Sequence, residues 1–190
     1  MTQGTTEIVA LVGSLRRASI NRRLAQVAAD NAPSGVHITV VDDLGLLPFY
    51  SEDVDPSTSP DVSEVDANVQ RLRDAVTAAD AVLVVTPEHN GTIPAALKNA
   101  IDWLSRPYGK GAISAKPVGV IGAALGRYAG TWSREDTRKS IGIAGGRVVE
   151  DVEVGVQSSA LGESGEFDAE TVEQVTVAVR RLADEVSALV

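Results

Sequence analysis

Gly13-Ser14-Leu15-Arg16-Arg17-Ala18-Ser19-Ile20-Asn21 is followed at once by Arg22 and Arg23, so four of the seventeen basic residues of the chain fall within eight positions. The chain as a whole is nevertheless acidic, with a formal charge of −9 over 190 residues. An acidic surface repels nucleic acid and other polyanions, so a cationic cluster in it implies an anion bound locally. Ser14, Ser19 and Asn21 add hydroxyl and amide donors at a spacing that a curled loop brings together. Arg16 adds a charge-assisted bond. The cluster lies between an apolar run, Glu7 to Val12, and a helix-like stretch, Ser19 to Asn31. A helix N-terminus at that place offers unpaired backbone N–H groups and a partial positive charge. Phosphate is the natural guest.

The stretch lacks GxxxxGK[ST] and GxGxxG, which argues against a nucleoside triphosphate and against a dinucleotide. Hydroxyls and amides, in place of bare glycines, suit a terminal monophosphate that needs donors all round it. That points to a mononucleotide such as FMN. The plainer alternative is a polar loop whose arginines only solvate a helix end. One monophosphate cannot engage four guanidinium groups, so Arg17, Arg22 and Arg23 read as surface or subunit-interface residues. Four charged bonds give roughly 6–12 kcal/mol gross. Micromolar binding needs about 8 kcal/mol after immobilisation has been met. The rest of the ligand must be held elsewhere.

A second stretch, Thr86-Pro87-Glu88-His89-Asn90-Gly91-Thr92-Ile93-Pro94, follows the most apolar run of the chain, Ala81 to Thr86. Its prolines and glycine fix an unusual backbone path and deliver Glu88, His89 and Asn90 to whatever lies beyond that strand. Lys98 and Asp102 are four apart, as an ordinary helical ion pair. Trp103 reads as a core or interface anchor, and His37 as structural. Tyr50 and Tyr128 are candidates for approaching the same crevice from other sides. Two histidines and no cysteine leave no metal site, disulfide or thiol chemistry to build on.

These loops need elements to position them, and the sequence supplies strand and helix in alternation. Strands are expected at Glu7–Val12, Val36–Asp42, Ala81–Thr86, Pro117–Ile121 and Arg147–Val154. Val62, Val65, Val69, Leu72 and Val76 recur by three and four, as an amphipathic helix does. Further helices are expected at Ile93–Ser105 and Trp132–Ile141. A last one carries Val172, Val175, Val179, Leu182, Val186 and Leu189, with Asp168 as its N-cap. The alternation predicts an α/β fold with a doubly wound five-stranded parallel sheet and helices on both faces, of flavodoxin or Rossmann type. Ligands bind beyond the carboxyl ends of such strands. The length suits one domain over residues 1–190. No apolar run reaches the roughly 18 residues of a membrane span. Met1 to Glu7 lack the pattern of a leader peptide. A cytoplasmic protein that contacts neither membrane nor nucleic acid is expected.

GSLRRASIN together with PEHNGTIPAALKNAIDWLSRP, with LPFY between them, resembles the NADPH-dependent FMN reductase family in order and spacing over most of the first 110 residues. The resemblance implies a flavodoxin-like fold and bound FMN, with NADPH or NADH as co-substrate. It also implies a small acceptor such as a quinone, and a homodimer or homotetramer with the helix of Lys98 to Trp103 as a reasonable interface. By the same resemblance Ser14, Arg16, Ser19, Ile20 and Asn21 cradle the FMN phosphate, and Pro87, Glu88, His89, Asn90 and Gly91 lie along the flavin ring. A third loop, Gly122-Ala123-Ala124-Leu125-Gly126-Arg127-Tyr128, closes the ring's far edge. It departs from the family's usual small-polar and Gly-Gly pattern, and His89 stands where tyrosine is common. No catalytic acid or base is required, because the flavin carries the chemistry. Arg106, Lys110 and Arg127 are candidates for the extra phosphate of NADPH, or plain solvated cations. An electron carrier of the flavodoxin kind and a non-catalytic flavin sensor are the competing readings.

Overall fold

A computed structural model describes residues 4–162 and 165–189. Met1 to Gln3, part of the stretch read against a leader, lie outside the described residues. Five parallel strands, β1 (Thr6–Val12), β2 (Val36–Val41), β3 (Ala81–Thr86), β4 (Pro117–Ala124) and β5 (Arg147–Gln157), form one sheet in the order β2-β1-β3-β4-β5. This is the flavodoxin-like winding and not the Rossmann one, which settles the choice that alternation alone left open. Among the described residues no helix is long and apolar enough to cross a membrane.

The three inner strands are apolar because both their faces are covered. Ile8, Ala10 and Val12 of β1, with Leu83 and Val85 of β3, face α1 (Ile20–Asp30) and α5 (Ala169–Ser187). Val9, Leu11, Val82 and Val84 face the opposite way, toward α2 (Ala67–Ala78), α3 (Ala95–Leu104) and α4 (Thr131–Ile143). β5 is an edge strand, and along it buried and exposed residues alternate from Val152 to Gln157.

Two helix ends differ from the periodic reading. α2 begins at Ala67, so Val62 and Val65 lie outside it; the Asp66 side chain accepts from the Asn68 amide and caps the helix there. Leu189 lies past the last turn of α5, whose start is capped by Asp168 as expected. β4 also runs on to Ala124, so the third loop starts at Leu125 and not at Gly122. Gly122 pairs with Thr86, and a Cβ on it would lie 2.2 Å from the Thr86 carbonyl oxygen. Only glycine lets the two strand ends run side by side.

α4 is fastened to the sheet by two largely buried arginines. Arg138 donates to the carbonyls of Val120 and Val152, where the β4–β5 ladder slips register. The Arg134 guanidinium lies over Gly155, where a Cβ would come within 2.5 Å of it. It pairs with Glu153 at 3.1 Å and donates to the Thr131 hydroxyl. Burial pushes the Arg134 pKa down, and the Glu153 carboxylate opposes that.

Candidate functional site

The loops after β1, β3 and β4 meet at the carboxyl edge of the sheet, beside the β1/β3 switch point. Together with the turn after β5 they enclose a cavity of about 400 Å³. That volume falls in the range of small-ligand sites.

The first loop leads into α1. The Ser19 hydroxyl oxygen accepts from the Arg22 amide at 3.2 Å and caps the helix. Its own proton remains free to be donated, and the amides of Ile20 and Asn21 precede the first helical acceptor. Ser14 is buried and lines the cavity, as do Arg16, Ser19, Ile20 and Asn21. Among the described residues neither the Ser14 hydroxyl nor the Arg16 guanidinium has a protein partner. Arg22 is spent on Asp42 at 2.6 Å, and Arg23 on the Gly165 carbonyl at 2.8 Å. The cluster therefore divides: two arginines brace the fold, while Arg16 and the exposed Arg17 stay unpaired.

Asn21 departs from the expectation of a side-chain donor to the ligand. Its amide is buried and donates to the Ala123 carbonyl at 2.9 Å, while its carbonyl oxygen accepts from the Ala123 amide at 2.8 Å. It ties the first loop to the end of β4, across 102 residues of sequence, and only its backbone N–H remains for a guest. Replacing Asn21 by Ala strands a buried N–H and a buried C=O, each costing about 1–3 kcal/mol. Asn21→Ala is expected to lower stability by roughly 2–4 kcal/mol in a urea titration. A loss under about 0.5 kcal/mol would show that water replaces the amide without cost.

The second loop is a tight reversal. His89 and Thr92 exchange both backbone hydrogen bonds, at 3.2 and 3.1 Å. Asn90 and Gly91 between them have φ of 51° and 74°. Both central residues are left-handed, which is the type I′ turn that Asn-Gly favours. α4 fixes this loop from behind. The Ser133 amide donates to the Glu88 carboxylate at 3.2 Å, and the Ser133 hydroxyl donates to the Pro87 carbonyl at 2.8 Å. Thr86 bonds the same hydroxyl, and Thr92 donates to Asp136. Glu88 is thus held as the loop-fixing carboxylate. Pro87, Glu88 and His89 line the cavity, whereas Asn90 and Gly91 form the exposed tip beyond its lining.

The other sequence candidates are dispersed. Tyr50 turns from the crevice and packs edge-on against Trp103 with ring centres 5.0 Å apart; its hydroxyl accepts from Arg106. Trp103 is fully buried and donates to the Pro48 carbonyl, a core anchor. Lys98 and Asp102 pair at 2.6 Å. His37 meets Glu7 on the surface. Arg106 lies over Tyr50, away from the cavity, and Lys110 sits in an exposed turn. Ser158 and Leu161 line the cavity from the turn after β5. No spacing in the sequence announced them, because β5 was expected to end at Val154.

The sequence profile of the NADPH-dependent FMN reductase family matches residues 6–160. The chain belongs to that family. A quinone reductase of Pseudomonas putida is 40% identical over 134 residues, 70% of this chain and 68% of that protein. A 2-hydroxy-1,4-benzoquinone reductase of Burkholderia sp is 45% identical over 120 residues, 63% of this chain and 61% of that one. Among solved structures, the flavoenzyme NAD(P)H:(acceptor) oxidoreductase FerB of Paracoccus denitrificans superposes with a TM-score of 0.83 at 28% identity. The superposition covers 96% of this chain and 98% of FerB. As a member of the family the protein is an FMN-dependent oxidoreductase with NAD(P)H as co-substrate.

The residues present fit FMN. Its phosphate needs several donors and a cation at one end of a cleft. The cavity supplies two hydroxyls with protons free to donate, two N-terminal amides and an unpaired guanidinium together. The flavin needs uncharged surface to lie against, and Pro87, Ala123, Ala124 and Leu125 supply it in the same lining.

Proposed function

We propose that the protein transfers two electrons from NAD(P)H to a quinone or a related small acceptor, with FMN held across the first and second loops. Ser14, Arg16, Ser19 and the amides of Ile20 and Asn21 take the phosphate. Pro87, Glu88 and His89 of the second loop run along the ring, and the Glu88 backbone N–H is the donor left there to face negative charge, as a donor of an oxyanion hole does. When bound, FMN supplies the chemistry by accepting hydride and passing both electrons on. In balance, NAD(P)H and one solvent proton reduce a quinone to its hydroquinone and leave NAD(P)⁺.

The chain's own residues position and shield. Asn21 locks the first loop against β4. Glu88, Ser133 and Thr86 hold the second loop rigid, so that its shape is set before a ligand arrives. One observation carries the reading: unpaired anion donors and a fixed Pro/Gly loop share a single cavity. Relatives named quinone reductase support the acceptor class. The family resemblance implies a dimer or tetramer, and the exposed Phe49 is one apolar side chain that such an interface would cover.

The flavin-loaded protein, mixed anaerobically with NADPH, is expected to lose its yellow absorbance within the mixing time and to regain it on adding a quinone. Flavin that stays oxidised while demonstrably bound would leave only the carrier or sensor readings. Light scattering on the same sample is expected to report more than one copy, and a monomer would remove that part of the proposal.

A further inference from the structure

The third loop carries an unusual surface at the mouth of the cavity. Leu125, which lines the cavity with Gly126, is 89% exposed. Tyr128 and Trp132 follow, 48% and 49% exposed, with ring centres 5.2 Å apart and planes inclined by 53°. The Arg127 guanidinium lies 4.6 Å from the centre of the Tyr128 ring and bonds its hydroxyl. The Gln157 amide holds the Arg127 carbonyl, and a Cβ on Gly91 would stand 3.8 Å from the Trp132 ring. Trp132 therefore borders the tip of the second loop with Tyr128 packed on it, and Leu125 and Gly126 of the same loop lie in the cavity lining. Half-exposed large aromatics are costly to leave uncovered and serve as flat binding faces.

Resting on the reductase reading above, we infer that Arg127, Tyr128 and Trp132 form an acceptor shelf that selects planar aromatic acceptors bearing a negative charge, such as ring-hydroxylated or sulfonated quinones. The rings offer a face and edges on which a flat acceptor stacks. Arg127, a fixed cation beside an apolar surface, pairs with its anionic substituent. The acidic chain as a whole repels anions, so the Arg127 cation beside the cavity-lining Leu125 and Gly126 is a local exception. The shelf lies outside the residues that hold FMN, so it acts on acceptor affinity and not on cofactor retention.

The test uses the FMN-loaded enzyme with three acceptors: a sulfonated naphthoquinone, an uncharged naphthoquinone and ferricyanide, which is anionic but not aromatic and takes two equivalents per NADPH. Tyr128→Ser with Trp132→Ser is expected to raise KM about tenfold for both naphthoquinones, the loss of two ring contacts. The KM values for ferricyanide and NADPH, and the flavin content, stay as in the wild type. Arg127→Gln is expected to raise KM severalfold for the sulfonated quinone alone. A change in NADPH KM, an equal rise in KM for all three acceptors, no change with any, or an altered oligomeric state would each overturn the shelf. A wild type that oxidises no NADPH with any acceptor would fail differently, by removing the reductase reading itself.

Discussion

Arg16→Ala with Ser19→Ala is expected to leave the protein nearly colourless after gel filtration, with FMN affinity down on the order of 10²–10⁴-fold. Each residue would make one bond to a doubly ionised phosphate, worth about 1.5–3 kcal/mol, and every 1.4 kcal/mol is about a factor of ten. The two changes differ in what else they touch. Arg16 has no partner among the described residues, so Arg16→Ala alone should not move the melting temperature of the flavin-free protein. Ser19 caps α1 through the Arg22 amide, and losing such a cap costs about 1 kcal/mol. Riboflavin, which lacks the phosphate, separates binding from folding. Fluorescence titrations should show its affinity nearly unchanged in the variant while that for FMN falls. Equal losses for both flavins, or an unchanged flavin content, would move the phosphate elsewhere.

The strands were legible because burial on two faces leaves a mark in composition: Ala81 to Thr86 has no charged residue, and its whole length is buried. The first loop was legible as a helix N-terminus for a similar reason, since Ser19 is a capping residue at the start of a helical pattern. What failed was counting apolar residues past a cap. Val62 and Val65 kept the helical period, yet Asp66 ends the helix before reaching them. The site's bracing was illegible on principle. Asn21 to Ala123, Thr86 to Ser133 and Glu88 to Ser133 join residues 45 or more apart. Their side chains have several chemically equal uses, and only the fold selects among them. Asn21 reads as a ligand donor until β4 is placed beside it. Arg22 and Arg23 read as surface or subunit-interface residues, and only the fold shows them spent on Asp42 and on the Gly165 carbonyl.

The long loop after β2 depends on one buried ion pair, and breaking it is the second large effect expected. Asp55 is fully buried and accepts from Arg73 at 3.0 Å and from the Ser57 amide at 3.0 Å. Arg73 also donates to the Trp103 carbonyl, and its guanidinium lies 5.4 Å from the centre of that ring. Trp103 and Asn99 in turn hold Pro48 and Tyr50, so the pair anchors the whole loop onto α3. Burial alone would raise the Asp55 pKa. The Ser57 hydrogen bonds and the Arg73 charge outweigh it and hold the carboxyl below its ordinary 3.8. Removing one member leaves the other charged and poorly hydrated, at a cost of about 3–5 kcal/mol. Asp55→Asn is thus expected to lower the melting temperature by about 6–20 °C near neutral pH for a chain of this size. The sign of the pH dependence follows from the depressed value. The stabilisation is complete above the unfolded carboxylate's pKa and fades as pH falls through the lower folded one. Wild type and variant should therefore melt a constant interval apart from pH 7 down to about 4, and converge below that. Flavin content at neutral pH should stay unchanged, because the pair touches none of the residues that line the candidate cavity. A variant as stable as the wild type at pH 7, or an interval that widens in acid, would show that the loop is anchored by its apolar contacts and not by this pair.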